Sequence, residues 1–174
     1  MKKLIVILLA VALGGCAAPA AVENMSVFKP ISHTNTALKN NIGVDSVNGG
    51  KETNPMWTSQ VSSEGFKRAL EQSLENAGMF SKIVSGGKYQ LTADLNKLDQ
   101  PIAGFDMTVT ATVRYSLVET KSRKEVYGRV IQMAYTAKLS DAFAGTTRLK
   151  LANEGAVKAN IQALIDDLVA LKLP

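Results

Sequence analysis

The chain has 174 residues, 46% of them hydrophobic, with 20 Lys and Arg against 15 Asp and Glu, a single His and a single Cys. That length accommodates one domain with a sizeable core, and one cysteine excludes an internal disulfide framework. The formal charge of +5 is mild and unclustered, which argues against a nucleic-acid partner, and no His, Cys or acid cluster has metal-ligand spacing.

The first element is Met1-Lys2-Lys3, a short cationic start, followed at 4–13 by an apolar run without charge. That run is too short for a stop-transfer helix and reads as the core of an export signal. It ends in Leu13-Gly14-Gly15-Cys16, which resembles the lipobox of bacterial lipoproteins: an aliphatic residue, two small ones, then cysteine. Gly14 stands where Ala, Ser or Thr is commoner. The resemblance implies that signal 1–15 is cut between Gly15 and Cys16, that the Cys16 thiol takes a diacylglycerol, and that its amine is acylated. Such a lipid accounts for a lone thiol in an exported chain. Each buried methylene contributes about 0.8 kcal/mol, so two or three acyl chains anchor stably without a transmembrane helix. Cleavage leaves 159 residues and removes Lys2 and Lys3, lowering the formal charge to +3. In Gram-negative lipoproteins with such a signal, Asp after the cysteine tends to retain the protein in the inner membrane. Here the residue is Ala17, so the expectation is the outer membrane, with the domain facing the periplasm.

Residues 16–24 are small and Pro-interrupted, the composition of a lipidated N-terminus with a flexible tether, which leaves 25–174 as the domain. An extended segment at 26–30 precedes a loop. Alternation at 42–47 predicts a first strand, closed by the turn Asn48-Gly49-Gly50. Ser62-Ser63 offers an N-cap, and Phe66, Leu70, Leu74 and Ala77 recur at helical spacing until Gly78, predicting an amphipathic helix over 63–77. Gly78 suits the left-handed C-cap conformation. After Gly86-Gly87 the period changes to two, with Tyr89, Leu91, Ala93 and Leu95 on one face. Pro101 and Gly104 mark a turn, and 105–117 alternates Met107, Val109, Ala111, Val113, Tyr115 and Leu117 with Thr108, Thr110, Thr112, Arg114 and Ser116. A polar turn at 120–124 leads to a return strand over 126–137, with Tyr127, Ile131, Met133 and Tyr135 inward. Val157, Ile161, Leu164, Leu168 and Leu171 then predict a long helix over 146–171.

Two helices with one apolar stripe each, and a sheet with one apolar face, solve their burial together when both helices cover the same side. The predicted class is α+β, a two-layer sandwich of an antiparallel sheet with two helices on one face, in the order β-α-β-β-β-α. The lipobox, the helix end Leu74-Glu75-Asn76-Ala77-Gly78-Met79-Phe80, the Tyr89-Gln90-Leu91 strand and the helix start at 148–160 resemble small envelope lipoproteins of the YajG type. More loosely, they are similar to LptE-like and transport-auxiliary lipoproteins. The resemblance implies a membrane-anchored, non-enzymatic accessory or assembly factor that binds an envelope protein partner. A periplasmic carrier for lipid or glycan, with an apolar cavity between sheet and helices, is the alternative. An enzyme of undetected type is the third.

The sequence offers no cofactor motif and little for catalysis. A serine triad would have to recruit His33, which lies among Pro, Asn and Thr and reads as a solvated bystander. Asp94, Asp99 and Asp106 surround a turn, and Asp is a preferred turn residue. The candidate partner surfaces are the polar face Thr108, Thr110, Thr112 and Arg114, open if both helices lie opposite, and Phe143, whose ring either anchors a partner or closes one end of the core.

Overall fold

A computed structural model describes residues 16–28, 35–82 and 87–173. In chain order the elements are a short helix α1 (Val22–Met25), strand β1 (Ile42–Asn48), helix α2 (Ser63–Asn76), strands β2 (Tyr89–Asp99), β3 (Met107–Glu119) and β4 (Glu125–Ala137), and helix α3 (Gly145–Ala170). The sheet runs β1-β2-β3-β4, and the class is the α+β two-layer sandwich that the periodicities predict.

One pairing departs from an all-antiparallel sheet. β2, β3 and β4 form the expected antiparallel meander, but β1 pairs with β2 in parallel, Ile42 opposite Tyr89 and Asn48 opposite Asp94. The reason is the connection: α2 runs back along the sheet between them, so β2 starts from the same end as β1.

Local chemistry sets the helix ends. Ser62 Oγ accepts from Gly65 N at 3.1 Å, capping α2. At the other end Gly78 has φ +67°, and the amides of Met79 and Phe80 both donate to Leu74 O. A side chain at Gly78 would be strained in that conformation, at a cost of about 1–2 kcal/mol.

Phe66, Leu70 and Leu74 from α2, and Val157, Ile161, Leu164 and Leu168 from α3, meet Leu91, Val109, Ala111, Val113, Tyr115 and Leu117 from the sheet, all with no residual exposure. Of the four positions expected inward on β4, Ile131 is buried, Tyr127 and Met133 are half-buried, and Tyr135 is 45% exposed. β4 is the sheet edge, so its outer flank has no neighbouring strand to close over it.

Residues 16–28, expected as a flexible tether up to 24, lie against the domain instead. Ala17 N donates to Pro55 O at 2.7 Å and Ala20 N to Gln60 O at 3.1 Å. Further along, Val27 N donates to Ser73 Oγ at 2.9 Å, and Met25 and Val27 join the core. The segment thus descends beside α2 and α3. Small residues let it approach closely, and two apolar side chains give it something to bury.

Candidate functional site

The topology collects three loops at one end of the sheet: 49–62 after β1, 100–106 between β2 and β3, and 138–144 before α3. Side chains that periodicity counts as exceptions tie these loops together. Asn153 Nδ2 donates to Ser59 O at 3.0 Å; Gln100 Nε2 donates to the same oxygen at 2.9 Å and to Asn153 Oδ1 at 2.7 Å. Arg148, 6% exposed, spends its guanidinium on backbone carbonyls: Nη1 reaches Ala142 O at 2.8 Å and Phe143 O at 2.6 Å, and Nη2 reaches Gly104 O at 3.2 Å.

Cys16 is exposed at this same end, one residue from the bond between Ala17 and Pro55. The N-terminal segment is fastened by Glu154 on α3, itself 2% exposed. Its Oε1 accepts from Ala21 N at 2.7 Å and its Oε2 from Asn24 Nδ2 at 2.8 Å, while Lys150 Nζ stands 3.7 Å away. Residues 1–15, including the Gly15 side of the expected cleavage site, and His33 lie outside the described residues.

The second candidate surface is the face of the sheet turned away from α2 and α3. Thr108 and Arg114 are exposed there, and Thr110 and Thr112 are half-exposed. Thr108 Oγ1 lies 2.8 Å from Thr136 Oγ1 on the neighbouring strand. The opposite faces of the same residues' neighbours, Val109, Ala111, Val113 and Tyr115, are fully buried. The two helices therefore leave a hydroxyl-lined platform uncovered.

Phe143 is not part of that platform and does not close the core, because it is 95% exposed. The Arg148 bonds to the carbonyls of residues 142 and 143 hold the loop backbone inward and leave the ring outward, while Leu149 and Met107 cover the end of the core. The three aspartates do not converge. Asp94 accepts from Asn48 Nδ2 at 2.9 Å, Asp99 pairs with Lys97 at 2.7 Å, and Asp106 accepts from Leu139 N at 3.1 Å. Asp94 ties β2 to the end of β1, Asp99 pairs within β2, and Asp106 joins the 100–106 loop to the 138–144 loop.

Asn160 shows why the polar residues of α3 escape a periodicity argument. It falls within the apolar stripe, yet its Nδ2 donates to Ala111 O at 3.0 Å and Ile131 O at 2.9 Å, joining helix to sheet. Only contacts from other elements reveal that role. On the edge strand Tyr127 donates to Asp167 at 2.6 Å; partial burial and that bond push its phenol well above the ordinary range.

Among the described residues no three His, Cys, Asp or Glu side chains gather as a metal site, and no helix is long and apolar enough to cross a membrane. Between α1, β4 and α3 lies a surface recess of about 660 Å³, lined by Glu23, Asn24, Tyr135, Leu151 and Lys158 among others.

Solved structures share this arrangement. A DUF330-family protein from Xanthomonas campestris matches with a TM-score of 0.59 at 13% identity, over 88% of this chain and 96% of that one. A minor lipoprotein from Acinetobacter baumannii matches with a TM-score of 0.50 at 11% identity, over 78% and 95%. The fold is one that Gram-negative lipoproteins use. A variant PelC dodecamer from Paraburkholderia phytofirmans also shares it, with a TM-score of 0.53 at 14% identity over 81% and 96%. No protein-family model and no curated protein matches the sequence. At these identities the likeness carries the fold alone, and it does not favour the YajG or LptE type in particular.

Proposed function

We propose that this chain is an acylated envelope lipoprotein, anchored through Cys16 to the outer membrane and facing the periplasm, whose domain is a non-enzymatic accessory that binds an envelope protein. The observation carrying this reading is the pairing of an accessible Cys16, the last residue of a lipobox-like run, with a sheet face that no helix among the described residues covers. A processed Cys16 must be reachable by the acylating enzymes, and its exposure meets that need. The platform of Thr108, Thr110, Thr112 and Arg114 offers hydroxyl donors and acceptors and one guanidinium in flat array, suited to a polar protein surface. The carrier alternative calls for an apolar cavity between sheet and helices, whereas that layer is occupied by the fully buried side chains described above.

Two measurements test the proposal. Palmitate labelling of cells expressing the chain and its Cys16→Ala variant is expected to mark only the former. A photocrosslinker at position 110 in living cells is expected to capture one discrete envelope protein, with capture lost in an Arg114→Glu background. Labelling that survives Cys16→Ala, or capture at 110 of lipid alone, overturns the corresponding half of the reading.

A further inference from the structure

Nine large hydrophobic side chains are exposed among the described residues, and six of them, Met56, Trp57, Ile102, Phe105, Leu139 and Phe143, lie in the three loops at the Cys16 end of the sheet. The opposite end carries Lys121, Arg123 and Lys124, all exposed, in the turn between β3 and β4. The domain is therefore polarised along its strands, apolar at one end and cationic at the other. Scattered apolar residues on a surface are ordinary, but six gathered on three separate loops are not.

We infer that this loop end is a membrane-contact face that sits in the interfacial layer of the phospholipid bilayer beside the acylated Cys16. The inference rests on the reading of Cys16 as the lipid anchor and extends it to the domain itself. Four observations carry it. First, the anchor is continuous with the patch: Ala17 N is bonded to Pro55 O, and Met56 and Trp57 follow immediately. With residues 17–28 docked on the domain, no free tether separates the lipid from these loops. Second, the side chains project rather than pack: Ile102 is fully exposed, Phe143 95%, Phe105 81% and Trp57 73%. Third, residue type fits depth, since Trp is amphipathic and favours the headgroup level while Phe, Ile and Met favour the acyl boundary. Fourth, Phe105, Leu139 and Phe143 border a shallow recess of about 480 Å³ with Gly104 and Arg148, where Arg148 locks two of the loops together. A preset arrangement loses little conformational freedom on insertion.

The charges in these loops, Lys51 and Lys138 against Glu52, Asp106 and Asp141, give no cationic excess. Insertion is thus apolar rather than electrostatic, and binding should not respond to the fraction of anionic lipid or to salt. Seated this way, the sheet stands on end, and the threonine platform faces sideways along the membrane plane.

Trp57 is the sole tryptophan and reports directly on the inference. The acylated full-length protein is reconstituted in vesicles of phosphatidylethanolamine and phosphatidylglycerol doped with brominated phosphatidylcholine. Expected are a blue-shifted Trp57 emission and quenching by the bromines, both unchanged by added salt. The variant carrying Phe105→Ser, Ile102→Ser and Phe143→Ser, all exposed positions, should lose most of the quenching while keeping its circular dichroism. Unacylated Cys16→Ser protein made without the signal 1–15 should still partition to the same vesicles, and each serine substitution in it should weaken that partition about tenfold. Acylated protein whose Trp57 remains unquenched and water-like overturns the contact face while leaving the anchor intact. Cells that fail to acylate Cys16, with vesicle quenching retained, overturn the anchor alone. A blue shift without quenching, accompanied by self-association, shows the patch covered by a second copy and overturns the inference.

Discussion

Replacing Glu154 by Ala should loosen the N-terminal segment and lower the stability of the whole domain. The carboxylate is buried and accepts two hydrogen bonds, from Ala21 N and Asn24 Nδ2, at 2.7 and 2.8 Å. Hydrogen bonds to charged groups contribute about 1.5–3 kcal/mol each. Asn24 is exposed and Ala21 half-exposed, so both donors regain water when the carboxylate is gone, and the expected net loss is about 2–4 kcal/mol. Met25 and Val27 remain buried in that variant, at about 1.5–3 kcal/mol for each apolar side chain. The segment should therefore weaken without detaching, and detachment should require Met25→Ala as well. Glu154→Gln keeps an acceptor for Ala21, and the Asn24 amide turns to accept from the new amide, so its cost should be only about 1 kcal/mol. Urea unfolding gives the total, and hydrogen exchange at residues 21–27 gives the local part. A change under about 0.5 kcal/mol in the alanine variant, the size of an ordinary surface substitution, with undiminished protection at 21–27, would refute the role of Glu154 as the fastening.

Three further outcomes follow from the same geometry. Burial holds the Tyr115 phenol well above its ordinary value of 10.0; the folded state keeps that proton where the unfolded chain loses it, so its contribution is complete below pH 10 and declines as pH rises beyond. Tyr115→Phe should flatten the alkaline limb of a stability-against-pH curve, and because the Tyr115 hydroxyl has no hydrogen-bond partner among the described residues, it should also raise neutral-pH stability by about 1 kcal/mol. Gly155→Ala should destabilise despite a helix-propensity gain of about 1 kcal/mol, since its new methyl meets the Tyr135 ring; overpacking of this kind costs about 1–3 kcal/mol. Thermal melts of the Gly155→Ala, Tyr135→Ala double variant should show that cost relieved. Arg148→Met should free the loop carbonyls of residues 104, 142 and 143 and raise hydrogen exchange across 138–144 more than in the meander strands, while equal effects in both would contradict a local clamp.

Much of the fold was legible because burial here follows simple periods. Alternation over 105–117 marks β3 and the side its helices cover, and the spacing from Phe66 to Leu74 with Ser62 and Gly78 at the ends marks α2 to within a residue. The parallel pairing of β1 was not legible, since an alternating pattern states which face is buried and is silent about the neighbouring strand's direction. The exposure of the threonine face follows from the same alternation once both helices lie on the opposite side.

Sequence alone is therefore informative locally: where elements start and stop, which face of each is apolar, and the resemblance of residues 13–16 to a lipobox. What tertiary structure alone decided is everything that depends on partners distant in the chain. Glu154, Asn160 and Arg148 read as polar interruptions of a helix until Ala21, the sheet carbonyls and the Phe143 loop are brought to them. Met56, Ile102 and Phe143 read as unrelated loop residues until three connections finish at one end of the sheet. Hydrophobic period is encoded within a few residues of its source, whereas the satisfaction of a buried polar group, and the gathering of exposed apolar ones, are set only when distant segments meet.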